Sequence, residues 1–163
     1  MKENLVENYW EAVCELEAGA FQRSVFLAGA ITGAENWQVG VARALLDVPD
    51  AGINVWNPRR KDFPIGDPGA AEEQITWEFE ALRRCESVLI WFTPPTLCPI
   101  CLYELGKCSM THEALFVGVH PEYARRQDVE IQTRLLRPHV RVVHDLDELT
   151  EQVLRYWRRI SRA

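Results

Sequence analysis

The chain alternates short runs of mostly apolar residues, of which 25–31 is continuous, with longer segments in which apolar residues recur at the spacing of a helix. The apolar runs lie at residues 25–31, 53–56, 87–92, 114–119 and 140–143. Continuous runs of this length are typical of strands that are buried on both faces of a parallel sheet. Helical spacing occupies residues 37–46, 70–85, 102–111, 129–136 and 146–160. Strands and helices that alternate in this way predict βαβ units.

These units predict the fold class. We expect an α/β protein with a single doubly wound, flavodoxin-like domain over residues 1–163, built on a five-stranded parallel sheet in the order 2-1-3-4-5. The core of this domain spans residues 24–143, and residues 146–160 form its last helix. A chain of 163 residues buries roughly two-thirds of its unfolded surface in one core, so neither a metal nor a disulfide is needed for folding.

Two apolar stripes give further expectations. Residues 1–20 are predicted to contain an N-terminal helix, because apolar residues recur there at helical spacing. Its apolar positions are Leu5, Tyr9, Val13 and Leu16. The helix over 70–85 has a similar stripe, which we expect to face the core. Its members are Ile75, Phe79 and Leu82.

Composition and charge exclude several classes of function. Hydrophobic residues make up 47% of the chain and charged residues 26%, with a formal net charge of −6. A general binder of nucleic acid or of anionic membranes is therefore not expected. No apolar run reaches the roughly 20 residues of a transmembrane helix, and the first residues lack the pattern of a signal peptide. We expect a cytoplasmic protein.

The five cysteines bear on metal binding and redox state. Cys98 and Cys101 form a Cys-x-x-Cys pair, with Cys108 and His112 further along. A zinc site requires four ligands at knuckle or hairpin spacing, whereas this pair contains Pro99 and runs into a helical segment, so we predict no metal. An odd number of cysteines in a chain with an adequate core favours reduced thiols over a disulfide framework.

The candidate chemistry follows the strand at 87–92. In an open parallel sheet the carboxyl ends of the strands meet the following helices at one cleft, and Glu104 comes after this strand and a proline-marked turn. The preceding helix offers a second carboxylate from either Glu78 or Glu80, which lie two residues apart and hence on different faces, so only one of them can face the cleft. In a retaining glycosidic cleavage one carboxylate attacks and the other handles the proton, roughly 5 Å away. A helix N-terminus would keep Glu104 ionised and burial would oppose this, and the sequence leaves that balance open.

Five separated motifs give a resemblance to a known family. They are Phe26-Leu27-Ala28-Gly29-Ala30-Ile31 followed by Gly33, Val55-Trp56-Asn57-Pro58-Arg59-Arg60, Glu73-Gln74-Ile75-Thr76-Trp77-Glu78, Tyr103-Glu104-Leu105-Gly106 and Val117-Gly118-Val119-His120-Pro121-Glu122-Tyr123. Over roughly residues 24–143 the chain resembles the nucleoside deoxyribosyltransferases and their relatives that hydrolyse the N-glycosidic bond of nucleoside monophosphates. More closely, it resembles the nucleoside 2-deoxyribosyltransferase-like branch.

The resemblance implies a double displacement, for which we expect no cofactor. Glu104 would take the deoxyribosyl group from one base and yield it to another base or to water, and Tyr103 of the same motif is a further catalytic candidate. The family's acidic partner, usually an aspartate, falls on Glu78, whose carboxylate is one methylene longer. An acid that contacts the base in better-known transferases falls near Cys98. Relatives complete the active site across a subunit interface, so a homo-oligomer is expected.

The remaining candidates are substrate-binding residues for a nucleoside or nucleotide and a free base. They are Gly29, Ile31, Gly33, Trp37, Asn57, Arg59, Arg60, His120 and Tyr123. Trp37, at a loop-to-helix junction, is the best candidate to stack on a base. Arg59 and Arg60 suit a phosphate, although an exposed basic turn is equally common. Glu35 in the first loop favours a nucleoside over a nucleotide.

Three alternatives stay open beside nucleoside deoxyribosyl transfer. The first is hydrolysis of nucleoside monophosphates at the same bond. The second is a non-catalytic nucleotide-binding module that kept the fold, because fold alone does not prove activity. The third and weaker one is NAD glycohydrolase action, which cleaves the same class of bond.

Overall fold

The computed structural model describes residues 7–49 and 51–161. The strands in this part of the chain are β1 Tyr9–Glu11, β2 Ser24–Gly29, β3 Asn54–Asn57, β4 Ser87–Phe92 and β5 Ala114–Val119. The α-helices are α1 Trp37–Leu46, α2 Ala70–Arg84, α3 Pro99–Thr111, α4 Arg126–Leu136 and α5 Leu146–Ile160. These helices confirm the five that were predicted from residue 37 onward, and α3 begins at Pro99 rather than at residue 102.

All strand pairs are parallel, and the order across the sheet is β1-β3-β2-β4-β5. Every residue of β2, β4 and β5 is buried, because helices cover both faces of the sheet. The α/β class and the five-stranded parallel sheet are confirmed. The order 2-1-3-4-5 is confirmed as well, since β3, β2, β4 and β5 take its first four positions and Val143 lies beside β5 at the fifth.

At that fifth position the predicted strand over 140–143 shrinks to a single bridge between Val143 and Gly118. The N–H of Val143 donates to the carbonyl of Val117 at 3.1 Å. Val143 is buried, whereas Val140 and Val142 are only partly buried. One residue of the apolar run therefore has a place on the sheet, and the prediction of a full strand is wrong.

The fifth strand comes instead from the N-terminal segment, where a helix was predicted. Tyr9–Glu11 adds to the edge of the sheet beside β3. Trp10 stacks on Trp56 on one face, with ring centroids 5.4 Å apart, while Tyr9 packs into the cluster on the other face. This alternation has the two-residue period of a strand, so the helix prediction is wrong here. Leu5, which belonged to the same predicted stripe, lies outside the described residues.

Two apolar layers hold the helices against the sheet. On one face α2 and α3 cover a cluster that includes Trp56 and Phe92, and on the other face α1 and α5 cover a cluster that includes Leu27 and Leu149. Within residues 7–49 and 51–161 no helix has the length and apolar character needed to cross a membrane.

The inward face of α2 differs from the predicted stripe. Leu82 is buried as expected, but Ile75 and Phe79 are 64% and 50% exposed. Trp77 takes the inward position, and its indole N–H donates to the carbonyl of Cys14 at 2.9 Å. Burying this large ring turns Ile75 and Phe79 toward the surface, so the prediction is wrong for these two residues.

Candidate active site

A cleft of about 270 Å³ opens at the carboxyl ends of β2 and β3, between α2 and α3. At this edge the chain leaves β2 toward one side of the sheet and leaves β4 toward the other, and open α/β sheets bind their ligands at such a reversal. The structure brings both predicted carboxylates, Glu104 and Glu78, into this cleft together with Gly29 and Ile31.

Glu104 lies beyond the first turn of α3, where the unpaired N–H groups of a helix N-terminus have little influence. Burial raises the pKa of Glu104 from 4.5 to about 7, the charge of Glu78 adds to the rise, and Lys107 opposes it. Of the two effects that the sequence left open, burial is the stronger. The carboxyl group therefore changes charge near neutral pH.

Glu78 approaches the cleft from α2 and is held by Gln74. The side-chain amide of Gln74 donates to Oε1 of Glu78 at 2.7 Å and to the carbonyl of Pro58 at 2.7 Å. Burial raises the pKa of Glu78, and the hydrogen bond from Gln74 opposes the rise. Sequence reasoning missed Gln74, although its four-residue spacing from Glu78 places the two on one face of a helix.

Arg59 and Arg60 do not line the cleft, because both are engaged elsewhere. The guanidinium of Arg59 donates to Oε1 of Gln38 at 3.1 Å. It also donates to three carbonyl groups of the loop after β2, at 3.1, 3.3 and 3.0 Å. Burial lowers the pKa of Arg59. Arg60 forms a salt bridge with Glu73 at 2.8 Å.

Asn57, Tyr123 and Tyr103 also lie outside the lining of the cleft. Asn57 is buried and donates to the hydroxyl of Tyr9 at 2.7 Å. Tyr123 is buried, and its hydroxyl donates to the carbonyl of Leu97 at 2.7 Å, which fixes the segment that leads into α3. Tyr103 is 70% exposed. The first two residues have structural contacts, and the third faces solvent.

Gly33, Trp37 and His120 line a second cleft, of about 440 Å³, in which neither carboxylate of the first cleft takes part. The indole of Trp37 lies directly over Gly29, where an added Cβ would overlap the ring and fall 2.6 Å from the carbonyl oxygen of Trp91. Only glycine fits beneath this ring. Trp37 is 8% exposed, so its position is that of a packed residue beside the sheet.

The structure joins Cys98 and Cys101 in a disulfide, so the expectation of reduced thiols is wrong for this pair. The first turn of α3 brings the two sulfurs together, which the sequence spacing allowed. Cys14, Cys85 and Cys108 are free thiols, and burial raises the pKa of Cys108 to about 12. In the part of the chain that the structure describes, no three His, Cys, Asp or Glu side chains are grouped to hold a metal ion.

The fold and the cleft define an α/β protein with a pair of carboxyl groups at the carboxyl edge of a parallel sheet. The family model described as nucleoside 2-deoxyribosyltransferase like matches residues 22–123, which is more than half of the chain and includes every described residue that lines the first cleft. The chain therefore belongs to the nucleoside 2-deoxyribosyltransferase-like family. At the family level this indicates N-glycosyl transfer on nucleosides. No curated protein matches the chain.

Proposed function

We propose that the protein cleaves the N-glycosidic bond of a 2′-deoxynucleoside by a double displacement in which Glu104 is the nucleophile. The observation that supports this most is the presence of Glu104 and Glu78 in one cleft, on two different helices. Enzymes that substitute at a sugar carbon with retained configuration usually do so with two carboxyl groups that face one ligand site.

The reaction has two steps. In the first, Oε of Glu104 forms a bond to C1′ of the sugar while the C1′–N bond breaks, and the base leaves with the bonding electrons and gains a proton. In the second, a nitrogen of another base, or a water molecule, attacks C1′ and displaces Glu104, losing its proton in turn. Glu78 gives a proton to the leaving base in the first step and takes one from the incoming base or water in the second.

The protonation of the pair sets the pH dependence. Like charges in one site oppose each other, so the two carboxyl groups hold a proton more tightly than isolated ones. The hydrogen bond from Gln74 favours the charged form of Glu78, so the shared proton rests mainly on Glu104 in the free protein. Attack requires that this proton moves from Glu104 to Glu78, which then gives it to the leaving base. We expect base release to fall as the pH rises above about 7, because the pair then holds no proton to give.

The variant Glu78→Gln tests this coupling. It removes the charge that helps to raise the pKa of Glu104 and also the group that gives the proton, so the fall of kcat/KM above about pH 7 is expected to disappear. The rate itself is expected to fall by about 100- to 10,000-fold, the usual contribution of a group that handles a proton. Glu80→Gln, on the same helix, is the matched control. A pH profile that Glu78→Gln leaves in place would contradict the coupling.

The cleft favours a nucleoside over a nucleotide. None of the described residues that line it is basic, and Arg59 and Arg60 are bound to groups of the protein itself. A phosphate placed beside Glu104 and Glu78 would add negative charge to a site that already resists it.

A substrate panel tests the proposed function. The protein is incubated with 2′-deoxynucleosides, ribonucleosides and their 5′-monophosphates, with and without a free acceptor base, and the bases are followed by chromatography. Base exchange on 2′-deoxynucleosides is the expected result, whereas release without exchange would make the protein a hydrolase. Turnover of monophosphates alone, release of nicotinamide from NAD, or binding without turnover would each replace the proposal with one of the alternatives.

We further propose that the active protein is a homo-oligomer whose interface lies beside the cleft. Exposed apolar side chains cover the adjoining outer faces of α2 and α3: Ile75, Phe79, Ile100, Tyr103 and Met110. The two helices meet there, because Lys107 lies 4.3 Å from the ring of Phe79. Ile100 also lines the cleft, so a second copy on this surface would border the ligand.

Light scattering on a sizing column checks the interface. The wild-type protein is expected to elute as a dimer or larger assembly, and Phe79→Glu is expected to shift it to a monomer, because a charge would then be buried in an apolar contact. Leu135→Glu changes an apolar residue on α4 that is also exposed and serves as the control. A monomeric wild-type protein at micromolar concentration would refute the interface.

A further inference from the structure

The disulfide between Cys98 and Cys101 lies in the wall of the cleft that holds Glu104 and Glu78. The two Cα atoms are 5.4 Å apart, a separation that disulfides commonly span. Cys101 and Glu104 are three residues apart on α3, so they share a face of the helix. Chemistry at the sulfurs therefore takes place beside the proposed nucleophile.

This disulfide is expected to contribute little to the stability of the fold. It joins residues only three positions apart, and the stabilisation from a cross-link is smallest for the shortest loops. The parallel sheet and its two apolar layers already supply a core. A disulfide that is accessible and not needed for folding is the kind that takes part in exchange.

The two sulfurs differ in access. Cys98 is partly exposed at the start of α3, whereas Cys101 is 2% exposed. Exchange begins when a thiolate attacks an accessible sulfur of the disulfide. Cys98 is therefore the sulfur that a small thiol reaches, and Cys101 is the one that leaves.

We propose that Cys98 and Cys101 form a reversible thiol–disulfide site in the wall of the cleft, and that its oxidation state controls glycosidic turnover by Glu104. The second half rests on the proposed function. A small thiolate bonds to Sγ of Cys98 and breaks the bond to Sγ of Cys101, which leaves as a thiolate and gains a proton. A second small thiolate attacks the external sulfur and releases Cys98 as a thiol. Two small thiols become one disulfide, and the protein disulfide gains two electrons and two protons.

The backbone of Cys98 links this chemistry to the shape of the cleft. Its φ is 39°, in the left-handed region that disfavours residues other than glycine. Its N–H donates to Oγ1 of Thr96 at 3.1 Å, and Thr96 also lines the cleft. Reduction frees Cys98 to leave this conformation and to shift Thr96 with it. We expect reduction to lower kcat/KM about tenfold, because displacements of an ångström or less near a reacting group have effects of this order or larger.

The experiment titrates the whole protein with glutathione buffers of increasing reduced fraction. Thiols are trapped by alkylation after an acid quench and located by mass spectrometry, while base release and base exchange on the 2′-deoxynucleosides of the panel are measured in parallel samples that are not acidified. The variants Cys98→Ser and Cys101→Ser cannot form the disulfide. Cys14→Ser is the control, since Cys14 is a partly buried thiol that does not line the cleft.

The expected result is that Cys98 and Cys101 pass together between disulfide and dithiol, with kcat/KM following the same midpoint. Cys98→Ser and Cys101→Ser should show the reduced-form activity under all conditions, and Cys14→Ser should behave as the wild type. A pair that never changes state, or equal and measurable release in both states, overturns this proposal and leaves the proposed function intact. Release and base exchange that are absent in both states for every 2′-deoxynucleoside of the panel overturn both.

Discussion

Base release is expected to fall by at least about a thousandfold when Glu104 is replaced by glutamine. An uncharged amide of the same size keeps the shape of the cleft but cannot form the ester bond to C1′ that the double displacement requires. Steady-state kcat/KM on the best 2′-deoxynucleoside of the panel, together with a search for a glycosyl-enzyme by intact mass, measures the effect. The wild-type protein should show the added mass of a deoxyribosyl group and the variant should not.

Glu80→Gln is the matched control for this loss. It makes the same chemical change on α2, at a residue paired with Arg83 on the surface at 2.7 Å, and should retain wild-type activity. Glu104→Gln protein that still releases base within tenfold of the wild type would remove Glu104 from its proposed role. In that case Glu78 would be the remaining carboxylate of the cleft.

The second large effect of replacing Glu104 is on stability. The variant is expected to lose activity but to gain stability. At pH 8 we expect Glu104→Gln to raise the free energy of unfolding by about 2 kcal/mol. The pKa of Glu104 is about 7 in the folded protein, against 4.5 for an ordinary glutamate, so the folded state binds this proton more tightly than the unfolded state does. Stability contributed by the bound proton is present below pH 4.5 and is lost as the pH rises to 7. The variant has no carboxyl group at this position, so its free energy of unfolding does not decrease in this pH range for this reason.

Urea denaturation at several pH values between 4.5 and 8 measures this difference. The gap between Glu104→Gln and the wild type should open as the pH rises and stay constant above about pH 8. Glu80→Gln should show no such opening gap. A constant difference at all pH values would mean that the variant acts through packing and that the pKa of Glu104 is not raised. An active site that loses stability for its charged nucleophile is a common compromise between stability and function.

The sequence predicts the central part of the fold well because that part depends on local patterns. The segments that became β2, β4 and β5 are nearly continuous apolar runs. Such runs are typical of strands that helices cover on both faces. The edges of the sheet were harder. Tyr9 and Trp10 are adjacent apolar residues that face opposite sides of the sheet, and a single strand of three residues is too short for its period to stand out from a helical one.

The candidate site shows the same division between local and long-range information. Glu104 could be placed at the cleft because its position follows from the order of strands and helices, and Glu78 could be placed there because it matches the acidic position of the family. The pKa values of these two carboxyl groups could not be predicted, because their burial depends on which helices and loops pack around them. The partners of Arg59 were equally hidden, since a basic residue after a strand faces either a ligand or the protein, and only the three-dimensional arrangement decides. Whether Cys98 and Cys101 form a disulfide could not be predicted either, because this depends on the local geometry at the start of α3.

The contacts of Arg59 have a consequence for how the cleft receives a ligand. One guanidinium ties the segment after β3 to the carbonyl groups of Ile31, Ala34 and Glu35 after β2. Two loops that would otherwise fluctuate independently are thus bound into one unit. The side of the cleft that Ile31 borders is preorganised, so a nucleoside need not spend binding energy on ordering it. A residue that never touches the ligand can in this way set how tightly the ligand is held.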